Sequence, residues 1–177
     1  MIRDEMEFRT EAVAVAARET ILAIRTSPKT RGRDNLSILL ADGPDLEKIA
    51  AAMDEVFKAN PEKRAGFARD AKNVRASQAV ILVGVKNVPC GLDCGGCGFP
   101  SCAEKAKMPA AYCVFNTIDL GIGVGAAGAA LADRRVDNRL MFSIGYAAVR
   151  MGLFPDGVTV AIGIPLSVSG KSPYFDR

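Results

Sequence analysis

Four cysteines fall within the thirteen positions of CGLDCGGCGFPSC, residues 90–102, and a fifth, Cys113, follows eleven residues later. No histidine occurs anywhere in the 177 residues. The spacing is Cys90-x3-Cys94-x2-Cys97-x4-Cys102-x10-Cys113. Thiolates are soft donors, so a site built from them selects iron–sulfur clusters or zinc over magnesium, calcium or manganese. The missing histidine removes mixed Cys/His zinc sites and a Rieske centre. It also excludes hydrolysis by a Ser–His or Cys–His couple.

Structural all-cysteine zinc sites bring two C-x2-C knuckles together across a longer insert. Here Cys94 and Cys97 form the one such pair, and the other gaps are unequal. A cubane is larger than one ion, and a single glycine-rich loop can wrap three of its corners. Gly95, Gly96 and Gly98 let backbone N–H groups turn toward the sulfides. Cys113 lies near the start of the next helix, whose N-terminal dipole favours an anionic centre. The expected ligands of a 4Fe–4S cluster are therefore Cys94, Cys97, Cys102 and Cys113. Cys90 is then a free thiol beside the centre, and the alternative puts Cys90 in place of Cys113, with every ligand on one loop. Structural zinc in a non-catalytic interaction module is the competing reading.

Composition bounds the setting. Apolar residues make up 49% and charged residues 24%, which describes one globular domain, residues 1–177, with the cluster-binding segment at 90–113 inside it. Net charge is +3 and scattered, and the densest basic patch, PKTRGR at 28–33, is too short to suggest nucleic acid. The N-terminus carries early acids and no apolar h-region, and the cysteines are odd in number and bunched. These features point to a reducing cytoplasm rather than to a disulfide framework. The run VFNTIDLGIGVGAAGAALA, residues 114–132, is long enough to span a bilayer. It contains Asn116 and Asp119 and reads as a buried central helix, so no membrane association is expected.

Several elements must position these thiols. Residues 5–25 read as a helix with Met6, Val13, Ala16, Ala17, Thr20, Ile21 and Ile24 on one side. LSILLAD at 36–42 reads as a buried strand. Leu46, Ile49, Ala50, Met53, Val56 and Phe57 mark an amphipathic helix that Asn60-Pro61 ends. A helix over 62–75 and a strand at 78–85, apolar throughout and so covered on both faces, lead into the cysteine loop. A Gly/Ala-rich helix over 110–133 follows, with Gly121, Gly125 and Ala129 spaced for close approach of a helix or ligand, or simply relieving crowding. A helix near 143–152 and a strand at 157–165 complete an α+β domain with a small mixed sheet. Asp119 reads as a structural acid bonded to a neighbouring loop. Asp137 or Asn138 reads as the N-cap of the helix that follows. GIGVG lacks the preceding strand and the glycine order of a dinucleotide fingerprint.

Three resemblances attach to these residues. DCGGCGFPSCAEKA, residues 93–106, resembles the 4Fe–4S domain of electron-transport complex B subunits and of corrinoid iron–sulfur proteins. It implies Cys94, Cys97 and Cys102 as ligands with a later cysteine as the fourth, although that family usually has a longer last gap. ARETILAIRTSPKTRGRDN, RDAKNVRASQAVILVGV, CGGCGFPSC, VDNRLMFSIGYAAVRMGL and IGIPLSVSGKSPYFDR resemble an uncharacterised bacterial and archaeal family of ferredoxin-domain proteins. RTSPKTRGRDNLSILLADGPDLEKIA and VTVAIGIPLS resemble the core of flavin-dependent nitroreductases. That likeness implies an FMN-sized pocket near Arg25, Lys29, Asn35 and Lys171, although the arginine-rich phosphate segment of those enzymes has no counterpart in the first 24 residues. The expected function is one-electron transfer with an unspecified redox partner, or an iron–sulfur flavoenzyme. A homodimer is one candidate assembly.

Overall fold

In a computed structural model, which describes residues 1–175, the strand AVILVGVK is buried at every position but its last. Such a strand needs cover on both faces, and it has it. The elements run α1 (Arg9–Thr26), β1 (Leu36–Asp42), α2 (Pro44–Ala59), α3 (Pro61–Arg75), β2 (Ala79–Lys86), α4 (Cys102–Ala106), α5 (Val114–Asp133), β3 (Asp137–Asn138), α6 (Phe142–Arg150) and β4 (Val158–Ser167). The strands lie in the order β1-β2-β4-β3. Every pairing is antiparallel, so the sheet is not the mixed one expected. The α+β class holds.

Alternation along β2 divides the core. Ala79, Ile81, Val83 and Val85 face α1 and α5, where they meet Ala17, Ile24, Val124 and Leu131. Val80 and Leu82 face α2, α3 and α6, where they meet Ile49, Met53, Val74 and Ile144. The period of two places successive side chains on opposite faces, so one strand supports both helical layers. Burial of Leu46, Ile49, Ala50 and Met53 follows the expected stripe of α2.

Four local expectations are corrected. The first helix begins at Arg9, after a separate 3-10 turn over Glu5–Glu7, and leaves Met6 exposed. Asp137 and Asn138 form β3 against Ser167 and Leu166, and the residue before α6 is Met141, whose backbone pairs with Gly163. Strand pairing therefore claims the two residues that capping was expected to use. α5 begins at Val114 rather than near 110. The carbonyls of Pro109 and Ala111 accept from Asn87 Nδ2 at 3.0 and 2.8 Å, which holds that stretch outside the helix.

α5 is also an outer helix rather than a central one. It buries Asn116, Asp119, Leu120, Gly123, Val124, Ala127 and Leu131 while leaving Ile118 and Ile122 exposed. It is the one described helix long and apolar enough to cross a membrane, and here it packs along α1 and the sheet. The close approach falls at Gly123, where an added Cβ would lie 3.0 Å from Leu36 Cδ1 and 3.2 Å from Ile24 Cγ2. Gly121 and Gly125 face open space.

Candidate metal centre

The cysteine loop leaves the end of β2 and returns into the start of α5, so two rigid elements fix its ends. Cys90, Cys94, Cys97, Cys102 and Cys113 all line one cavity, with Pro89, Phe99, Lys105 and Phe115 among the other walls. Cys90 and Cys113 are buried, Cys97 and Cys102 half-buried, and Cys94 exposed. A solvent side and a protein side are thereby distinguished.

Local hydrogen bonds shape the loop. Asp93 Oδ1 accepts from the Cys102 N–H at 2.6 Å, tying the loop's entrance to the start of α4. Ser101 caps α4 by accepting from the Glu104 N–H at 3.1 Å. Gly95 and Gly98 hold φ of 70° and 83°, a region that glycine enters without steric penalty, and the Gly98 N–H reaches the Gly95 carbonyl at 2.9 Å. A Cβ at Gly96 would sit 3.0 Å from Val114 Cγ1 and 3.6 Å from Cys94 Sγ, so the loop is pressed against the first turn of α5. From the other side, Arg31 Nη1 donates to the Gly91 carbonyl at 2.9 Å.

Two asparagines join the strand to the helix. Asn116 Nδ2 donates to the carbonyls of Lys86 at 2.9 Å and Val88 at 2.6 Å, and its Oδ1 lies 3.3 Å from Cys90 Sγ. Asn87 Oδ1 accepts from Lys105 Nζ at 2.8 Å and from the Cys113 N–H at 3.3 Å. Spacing alone did not single out Asn87, Lys105, Asn116, Asp93 or Arg31. The available signal is that polar residues directly follow an apolar strand (Asn87) or interrupt an apolar helix (Asn116).

The two buried thiols differ in their electrostatics. Burial works against ionising Cys113, but the amides of Cys90, Asn116 and Phe115 and the Cys90 thiol outweigh it and hold Cys113 below the ordinary cysteine range. Burial pushes Cys90 up, and the neighbouring Cys113 adds to that rise. Cys113 is thus the readier thiolate of the pair.

The donor set fits a thiophilic centre: five sulfurs, no histidine, and one loop acid, Asp93, already committed to a backbone amide. The cavity measures about 10 Å³, roughly the room one water needs. Among the described residues, no three Cys, Asp or Glu side chains converge at single-ion distances.

The residues implied for flavin are divided. Arg25 Nη1 pairs with Asp34 at 2.5 Å and with the Leu36 carbonyl at 3.2 Å. Lys29 Nζ donates to the carbonyls of Ile24 and Ser27, both at 2.8 Å, and so caps the end of α1. Asn35 Nδ2 contacts Asn116 Oδ1 at 3.4 Å. Of these, Asn35 alone is linked to the cysteine site, through Asn116 and Cys90. Arg25 and Lys29 serve the end of α1 and the turn before β1, and Lys171 lines a separate groove with Lys72, Asn73 and Tyr174. Asp119 is the structural acid expected: its carboxylate accepts from the Thr30 N–H at 3.0 Å and from Thr30 Oγ1 at 2.8 Å.

The fold has solved counterparts. A nitroreductase with bound FMN from Desulfitobacterium hafniense superposes with a TM-score of 0.60 at 12% identity, covering 97% of this chain and 81% of that one. The FMN-dependent nitroreductase of Mycobacterium smegmatis, solved with NADPH, gives 0.57 at 12% identity over 89% and 78%. Identities this low establish a nitroreductase-like fold and nothing of activity. In sequence, the chain is 40% identical over 185 aligned positions to an uncharacterized protein of Archaeoglobus fulgidus, covering 100% of this chain and 98% of that one. Residues 110–177 match the family described as "Uncharacterized protein containing a ferredoxin domain (DUF2148)", with Asp176 and Arg177 lying outside the described residues. On the full-length match and the family match together, the chain belongs to this family of uncharacterized ferredoxin-domain proteins.

Proposed function

We propose that the protein binds one 4Fe–4S cluster through Cys94, Cys97, Cys102 and Cys113 and exchanges single electrons with a redox partner in a reducing cytoplasm. The observation that carries this reading is the convergence of every cysteine in a histidine-free chain on one cavity between β2 and α5. When bound, such a cluster supplies a one-electron store. The chain's residues do the rest. Gly95 and Gly98 bend the loop, Asp93 fixes Cys102, and Asn87 and Asn116 anchor the strand end to the helix that presents Cys113. The favoured ionisation of Cys113 supports it as the fourth ligand, with Cys90 the buried thiol behind it.

Anaerobic purification followed by iron, sulfide, zinc and flavin analysis tests the reading. The expected result is about four iron and four sulfide per chain, whereas stoichiometric zinc or no metal overturns it. Cys113→Ser is expected to lose or degrade the cluster while Cys90→Ser keeps it, read from absorbance and iron content. An intact cluster in Cys113→Ser reassigns the fourth ligand.

An iron–sulfur flavoenzyme is the second reading, favoured by the likeness of fold to nitroreductases whose descriptions carry FMN. Arg25, Lys29 and Asn35 would border such a flavin, and all three would have to release backbone or side-chain partners to reach it. Flavin released on denaturation would favour this reading over a simple carrier.

A further inference from the structure

Lys105 is 2% exposed although its side chain ends in an ammonium. Burying a charge costs several kcal/mol, roughly, unless something compensates it. A lysine near a surface ordinarily threads its head to water, and at this exposure the head does not reach it. Nζ has three N–H groups to satisfy. Its one acceptor among the described residues is Asn87 Oδ1, at 2.8 Å, and no carboxylate pairs with it. The same side chain forms part of the wall of the cavity that the five cysteines line. Asn87 Oδ1, which receives it, also receives the N–H of Cys113. A buried cation with no anion therefore stands one amide group from the backbone of a proposed ligand.

We infer that Lys105 is the counter-charge of the metal centre, a positioning residue that raises the centre's reduction potential. The inference rests on the cluster reading above. Four thiolates around an iron–sulfur core leave a net negative charge that deepens by one on reduction, and a fixed positive charge in a low-dielectric wall favours the more negative state. Asn87 holds Nζ in place and couples it to Cys113, so the charge is aimed at the protein side of the centre and not at the exposed side, where Cys94 lies.

The test is a spectroelectrochemical titration of anaerobically purified wild type, Lys105→Met and Lys105→Arg, each first assayed for iron and sulfide. Lys105→Met keeps the length of the stem and removes the charge. The equilibrium constant for reduction is expected to fall at least about tenfold, or about 59 mV for a one-electron couple, with Lys105→Arg restoring most of the shift. The apoprotein gives an independent readout: without the cluster the ammonium is an uncompensated cost, so Lys105→Met should melt at a higher temperature than wild-type apoprotein. Cluster loss in Lys105→Met but not in Lys105→Arg also supports the assignment. A loaded Lys105→Met with an unchanged potential, cluster loss in both variants, or a lower-melting Lys105→Met apoprotein would mark the side chain as packing alone and overturn it. Wild type with no iron defeats the cluster reading itself, and this inference with it. A loaded wild type whose potential Lys105→Met leaves unmoved defeats only the inference.

Discussion

Asn87 uses both ends of its amide. Nδ2 donates to the carbonyls of Pro109 and Ala111, and Oδ1 accepts from Lys105 Nζ and the Cys113 N–H. One half-buried side chain thus ties the end of β2 to α4, to the connecting turn and to the entry of α5. Asn87→Ala would strand Lys105 with no acceptor and free two carbonyls at once. A net loss of about 1–3 kcal/mol is expected, measured by urea denaturation, and its cluster should be lost faster to a chelator. Equal stability in the variant would mean that water replaces the amide without cost. Residues of this kind were hard to read from the sequence. The cysteines announce themselves because a thiol bunched with others has few other uses. Lys105 carries no such mark, because its partner Asn87 stands 18 positions away on the far side of the cysteine loop and shares no helix or strand with it. Asp119 was legible for the opposite reason, since a lone acid in a Gly/Ala helix is costly unless something binds it, and Thr30 does.

Between elements, α6 lies so near β4 that each contributes a glycine to the contact. A Cβ on Gly145 would fall 2.0 Å from the Ala161 carbonyl oxygen, and one on Gly163 would fall 2.2 Å from Ile144 Cγ2. The backbone of β4 cannot yield, because its other edge is held by β2 across Ala79–Lys86. Gly145→Ala gains about 1 kcal/mol in helix propensity but should lose about 2 kcal/mol or more to overpacking. Gly121→Ala, on the open face of α5, keeps the propensity gain and meets nothing. Opposite signs of the change in melting temperature are therefore expected for two Gly→Ala substitutions in helices, and like signs would contradict the packing described. The elements themselves were largely legible, since β2 is apolar throughout and α2 repeats at helical spacing, and both patterns survive folding. Sheet direction was not, because an apolar run suits a strand covered on both faces whichever way its neighbours point. Neither was α4, whose five residues are too few for any period to show.

At the scale of the whole molecule, the cysteine loop is an insert whose residues 90–113 contribute nothing to either hydrophobic cluster of the core. The core on one face of the sheet draws on α1, α5, β1, β2 and β4, and the core on the other draws on α2, α3, α6 and the same sheet. Among the cysteines, Cys90 and Cys113 alone are buried, and they sit at the two ends of the insert, where Asn116 and Asn87 hold the strand end to α5. Between those ends, residues 91–101 form no helix or strand, and a five-residue helix is the one regular element before Cys113. Stability is local where buried apolar contacts are few, so the insert is expected to open well below the free energy that unfolds the sheet. Four bonds from sulfur to one inorganic core would close that gap, because whatever binds only the ordered loop stabilises the ordered loop. Removing the cluster by anaerobic chelation should therefore raise amide hydrogen exchange across residues 90–113 and in the first turn of α5, while amides of β2 and β4 keep their protection. If chelation instead releases β2 and β4 together with the loop, the insert and the sheet form one cooperative unit, and the separation of site from scaffold drawn here is wrong. If exchange in 90–113 does not change, the loop is ordered by its hydrogen bonds alone, and the cluster adds nothing to its local stability.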